Sequence, residues 1–144
     1  MKHTIKHLLH INAPLSDVFS AITDAGKLSQ WYTSDVEDNV KTDGSCTFKW
    51  GTMFITTKVE VSAEKNKISW DCLDTNLPAM GHMMSFELDE NEGKTRLRYT
   101  HTGFDDDGDF YSNQNFSTAK YMESLRQFCQ TGNGEGYGTT GYRS

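Results

Sequence analysis

Apolar residues alternate at the start of the chain. In IKHLLHI, residues 5 to 11, Ile5, His7, Leu9 and Ile11 fall on one side of an extended segment, because neighbouring side chains in a strand point to opposite faces. The period then changes. Pro14 holds φ near its helical value and lacks an N–H that a first helical turn leaves unpaired anyway, so it suits a helix start. Leu15, Val18, Phe19 and Ile22 follow at i, i+3, i+4 and i+7 as one apolar stripe. Asp24 can cap a second short helix, whose inward face runs through Leu28 and Trp31 until YTSD ends it.

From about residue 44 the period is two. Cys46, Phe48 and Trp50 alternate with polar neighbours, then Val59 and Val61, then Ile68, Trp70 and Cys72. Met84, Phe86 and Leu88 share a face, as do Leu97, Tyr99 and His101. The segments are separated by TDGS, AEKNK and DENEGK, which are rich in turn-forming residues, so the pattern predicts an antiparallel meander with one wet and one apolar face. In NFSTAKYMESLRQFCQTG, residues 115 to 132, Tyr121, Met122, Leu125, Phe128 and Cys129 form a wide stripe at helical spacing, and Gly132 supplies the stop. This is the one long helix, and it is the element able to cover the apolar face of the sheet. The pattern thus predicts an α+β domain over 1–132: a curved antiparallel sheet wrapped around a long C-terminal helix, with two short helices between the first and second strands. Residues 133–144 read as a loosely held Gly-rich tail.

Charge and composition narrow the chemistry. With 14 basic against 20 acidic residues the chain carries a net charge of −6, and no basic cluster is long enough to track a phosphate backbone, so nucleic acid is not an expected partner. No apolar run approaches the ~20 residues that span a bilayer, and MKHTIKHLLH has no continuous apolar core of the kind a signal peptide needs. The expectation is a cytoplasmic protein without membrane insertion. Cys46, Cys72 and Cys129 are odd in number and far apart, which predicts reduced, buried thiols. No HxH, HExxH, CxxC or GxSxG string occurs, and the glycines do not form a phosphate-binding loop between a strand and a helix. The run DDDGD, residues 105 to 109, lacks the alternating ligands and closing glutamate of a calcium loop and reads as a solvated stretch leading into the helix. No metal, cofactor or catalytic residue is assigned.

The strings INAPLSDVFSAITDAGKLSQWYT and TRLRYTHTGF, together with the closing amphipathic helix, resemble the helix-grip domains of the SRPBCC, START and pollen-allergen-like superfamily. Within it the chain is most similar to the family named after the activator of the heat-shock-protein-90 ATPase, over roughly residues 5 to 132. The resemblance implies a helix-grip fold in which the short helices form a supporting V and a cavity separates the long helix from the sheet. It also implies use of that cavity for a lipid, sterol, polyketide or flavonoid-like molecule.

On that reading the inward aromatic set becomes a candidate ligand lining: Trp31, Phe48, Trp50, Trp70, Phe86, Tyr99 and Tyr121, with Met84, Leu125 and the polar His101. Met80 and Met83 would add adaptable lining, and His7 and His82 share the parity of the inner face. The leading expectation is non-enzymatic binding of a small lipophilic or aromatic molecule. A cyclase or dehydrase of the type found elsewhere in the superfamily is the alternative, and it would draw on His101, Tyr99 and Tyr121 to move protons. Contact with the chaperone is implied only by the family's name. The better-known activators carry a further N-terminal domain, and no counterpart is expected here.

Overall fold

Each alternating stretch becomes a strand and each stripe at helical spacing becomes a helix. The computed structural model describes residues 2–143. Strand β1 (His3–Ile11) leads through Pro14 into α1 (Leu15–Thr23) and α2 (Ala25–Trp31). Then come β2 (Asp35–Asn39), α3 (Val40–Asp43), β3 (Ser45–Trp50), β4 (Met53–Ser62), β5 (Lys67–Thr75), β6 (Met83–Asn91), β7 (Lys94–Phe104) and α4 (Asp109–Thr131). The strands form one curved antiparallel sheet in the order β1-β7-β6-β5-β4-β3-β2, so the meander is continuous and β1 closes it against β7. This is the α+β helix-grip architecture.

Register places the apolar parity of every central strand on one face. His101 lies opposite Ile5 on one side and Met84 on the other, and Met84 in turn lies opposite Trp70. In the next row His7 pairs with Tyr99 and Tyr99 with Phe86. Because the side-chain period of a strand is two, a slip of one residue in any of these pairings would turn the whole row outward.

The V of α1 and α2 is held by its own chemistry. The Asp24 carboxylate accepts from the Lys27 backbone N–H at 3.1 Å, capping α2 as its residue type predicts. The Trp31 indole donates to the Ala21 carbonyl at 2.7 Å, fastening α2 to α1 with its ring fully buried. The Ser124 hydroxyl of α4 donates to the Trp31 carbonyl at 2.8 Å, which fixes the long helix against the V.

Three features depart from the pattern. The edge strand β2, DVEDN, and the single turn of α3 carry almost no apolar signal, since only Val36 of β2 is even half-buried. An acidic, mostly exposed edge is a common protection against pairing with another chain. Helix α4 begins at Asp109, about three turns before the apolar stripe that starts at Tyr121, with Gly108 as N-cap. Asp105, expected as part of a solvated loop, pairs with Lys2, and the Asp106 carboxylate accepts from the Gly108 N–H at 2.9 Å.

The third departure is a correction. The Gly-rich tail is docked rather than loose. The Glu135 N–H donates to the Ser124 hydroxyl at 2.6 Å, the Gly136 N–H to the Gln30 carbonyl at 3.1 Å and the Tyr137 N–H to the Tyr32 carbonyl at 3.0 Å. The Ser34 N–H returns a bond to the Tyr137 carbonyl at 2.8 Å, closing a short parallel bridge. A Cβ on Gly134 would stand 2.4 Å from the Gln30 carbonyl oxygen, and one on Gly136 would stand 2.8 Å from the Trp31 carbonyl carbon. These glycines serve close approach of two backbones, not slackness.

Candidate functional site

Helix α4 packs tightly on the sheet only along its second half. There Met122 and Leu125 join the continuous core formed by the V, the sheet and the helix. Along its first half the helix stands off, leaving a pocket of about 260 Å³. The sheet contributes Trp50, Ile55, Trp70, Met84, Phe86 and Tyr99 to the walls. From α4 come Phe110, Asn113, Gln114, Ser117, Thr118, Tyr121 and Met122, and the 76–82 loop adds Leu77. Exposed Met53 and Asn113 mark the rim, where Tyr142 of the tail also lies. Among the described residues no charged side chain and no histidine belongs to the wall.

Tyr32 forms the floor and ties the aromatic wall together. Its ring lies 5.0 Å from Phe48, 5.2 Å from Trp50, 5.4 Å from Trp70 and 5.1 Å from Tyr121, centroid to centroid. The contacts with Phe48, Trp50 and Tyr121 are edge-on, the geometry that sets a ring's positive edge against its neighbour's negative face. Burial pushes the Tyr32 hydroxyl well above its usual pKa, with Tyr99 and Tyr121 adding to the shift. Burial does the same to Tyr99, against a smaller opposing effect of the Thr118 hydroxyl across the pocket. Tyr121 is raised first by burial and then by Tyr142. These hydroxyls therefore stay neutral and act as hydrogen-bonding groups. The Trp50 indole nitrogen neighbours the Tyr121 hydroxyl, but the two do not reach ordinary hydrogen-bond geometry, and Nε1 is sealed from solvent without an acceptor among the described residues.

Six side chains expected as lining stand in the wall: Trp50, Trp70, Met84, Phe86, Tyr99 and Tyr121. Four stand elsewhere. Trp31 is fully buried behind Tyr32, Phe48 is packed under Tyr32 and Trp70, and Leu125 lies in the solid part of the core. His101 sits opposite Met84 in the same row but outside the wall, where its Nε2 meets Nδ1 of His82 at 3.0 Å beneath the ring of Phe104. Burial, and secondarily His82, pushes His101 down to about 3, so both rings are neutral at physiological pH and its own Nδ1 has no partner among the described residues. Of the three side chains a cyclase would use, only the two tyrosines face the pocket, and both have raised pKa values. Met80 and Met83 are exposed and outside the wall, and His7 is half-buried beside Tyr99.

Sequence reasoning passed over Tyr32, the polar residues of α4 and the tail tyrosines Tyr137 and Tyr142. The signal for Tyr32 was its place beside Trp31 at a helix end, where the backbone turns and lets both rings point inward. The three thiols are reduced. Burial pushes Cys46 and Cys129 up to about 12 and also raises Cys72, which makes them poor nucleophiles. Among the described residues no three His, Cys, Asp or Glu side chains converge as metal ligands would, and no helix is long and apolar enough to cross a membrane.

Comparison with known proteins agrees with this fold. The family model for Activator of Hsp90 ATPase homolog 1-like protein matches residues 12–130. The Aha1 of Colwellia psychrerythraea, solved as a dimer in solution, superposes with a TM-score of 0.80 at 26% identity, covering 92% of this chain and 99% of that one. A protein of Mesorhizobium loti superposes at 0.72 with 20% identity over 87% of this chain and 95% of its own. CalU16 of Micromonospora echinospora superposes at 0.69 with 12% identity over 89% and 82%. These last two likenesses concern the fold alone. No curated protein shows significant sequence similarity.

Proposed function

The chain belongs to the Activator of Hsp90 ATPase homolog 1-like family, and from that membership and the pocket's chemistry we propose that it binds a small lipophilic or aromatic molecule between the sheet and α4. The observation that carries the reading is an uncharged wall of aromatic and methionine side chains around about 260 Å³, just under the ~300–1,000 Å³ usual for small-molecule sites. A fold needing only stability would bring α4 down onto Trp50, Trp70 and Phe86, as it does one turn later at Leu125. Leaving large rings unpacked on one side forfeits dispersion contacts that a guest would restore.

The test is a fluorescence titration with N-phenyl-1-naphthylamine, a neutral probe that brightens in apolar surroundings. Saturable binding at one site is expected, with two-dimensional NMR shifts centred on Tyr32, Tyr99 and Thr118. In a Ser117→Phe variant, whose ring would fill the space, binding should be lost while the circular dichroism stays native. Shifts confined to the outer face of the sheet would reject the reading.

A second reading follows from the 26% identity to Aha1 across nearly the whole of both chains: contact with a chaperone ATPase. It predicts a changed Hsp90 ATPase rate at stoichiometric levels of this protein. An unchanged rate together with separate elution would remove it.

A further inference from the structure

The wall-forming face of α4 runs Phe110, Asn113, Gln114, Ser117, Thr118, Tyr121 and Met122, the i, i+3, i+4, i+7 stripe that a packed helix fills with apolar residues. Here two successive turns of it are neutral and polar. The side-chain hydrogen bonds this helix makes to the body of the fold lie elsewhere: Tyr111 donates to the Thr4 carbonyl, Ser124 donates to the Trp31 carbonyl, and the Gln130 side-chain oxygen accepts from the Asn12 N–H. Asn113, Gln114 and Ser117 form no side-chain hydrogen bond among the described residues, though Gln114 and Ser117 are half-buried and Thr118 is buried opposite the Tyr99 hydroxyl. Facing this polar strip is the aromatic floor of Trp70, Phe86 and Tyr32. The pocket is therefore two-sided: rings below, amide and hydroxyl groups above, and no cation or anion in the wall.

We propose that the pocket selects an uncharged, flat ring compound bearing hydroxyl or carbonyl oxygens along one edge, read by Gln114, Ser117 and Thr118 while its rings lie on the aromatic floor. The inference rests on the binding reading above and names its ligand class. A fatty acid or other anion has no counter-charge in the wall, and burying an unpaired charge is costly. The raised tyrosine pKa values point the same way, since they record how poorly this surrounding tolerates negative charge. A plain hydrocarbon would fill the space but leave the polar strip stripped of water and unpaired.

Three competitors of N-phenyl-1-naphthylamine test this on the full chain: 2,7-dihydroxynaphthalene, naphthalene and palmitate. The diol is expected to bind about three- to tenfold more tightly than naphthalene, the range of one or two neutral hydrogen bonds, and palmitate most weakly. In a Gln114→Leu, Ser117→Ala double variant the ratio of diol to naphthalene affinity should fall to one or below. In the wild-type protein, the Gln114 side-chain amide resonances should move with the diol and not with naphthalene, a readout independent of how well the variant folds. Naphthalene or palmitate binding as tightly as the diol, or a still Gln114 amide, would overturn the ligand class while leaving the pocket reading intact. Failure of the fluorescent probe itself to bind would overturn both.

Discussion

His101 illustrates how one buried side chain couples this fold to pH. Its imidazole is held neutral because burial, and then the neighbouring His82, disfavours the charged form, while Asp105 and Lys2 act on His82 from the outer side. With a folded pKa of about 3 against an unfolded value of ~6.5, the unfolded chain binds the extra proton first. The contribution of His101 is therefore complete above pH ~6.5 and is lost as pH falls from there towards 3, at no more than about 1.4 kcal/mol per pH unit. His82 and His7, both lowered by burial, act in the same direction. The urea midpoint should fall between pH 7.5 and 5.0, and His101→Phe should make that fall shallower. Equal slopes in the two proteins would show that the buried pair is not its source. Ser124 is a buried side chain whose role is independent of pH. Its hydroxyl donates to the Trp31 carbonyl and accepts from the Glu135 N–H, so Ser124→Ala should lower stability by about 1–3 kcal/mol in denaturant unfolding.

At the scale of elements, two of the departures from pattern, the tail and the first turns of α4, answer to neighbours distant in sequence. The tail is glycine-rich because the 30–34 backbone lies against it. Gly136→Val cannot keep that approach, so it should strip hydrogen-exchange protection from the Tyr137 amide and weaken probe binding as Tyr137 and Tyr142 leave the pocket wall. Protection and affinity both unchanged would mean that the tail tolerates the side chain and the close approach is dispensable. The cap on α2 supplies a contrast. Asp24→Ala should cost about 0.5–2 kcal/mol in thermal or urea unfolding and leave probe affinity alone, because α2 meets the pocket only through its C-terminal end at Tyr32. The first turns of α4 escape an apolar-pattern reading for a related reason. Their inward face borders the pocket instead of packed side chains, so apolar residues are not required there.

For the molecule as a whole, the stand-off between α4 and the sheet links stability to occupancy. A guest that binds only the folded state stabilises it by mass action, by about 2.7 kcal/mol at a free concentration of 100 times Kd. For a chain of this length that corresponds to a rise in Tm of about 5–10 °C. N-phenyl-1-naphthylamine should produce this shift in calorimetry with the wild-type protein and not with Ser117→Phe. A shift of equal size in both would place the binding elsewhere.

The strand parity that turns Trp70, Met84, Phe86 and Tyr99 inward was legible from residue order, because alternation is a property of the extended backbone and needs no partner to define it. The stripes of α1 and the second half of α4 were legible for the same reason at a period of 3.6. Inwardness, however, does not say whether the interior at that height is filled. Trp31, Phe48 and Leu125 face in like their neighbours and are packed solid, and His101 faces in beyond the pocket's end. Where the hollow lies, and that Tyr32 and the tail tyrosines border it, was decided by contacts such as Ser124 to Trp31 and Tyr137 to Tyr32, which join segments about 90 to 105 positions apart. Local periodicity assigns each residue a face, whereas the distance between two faces is set only when remote segments lock together.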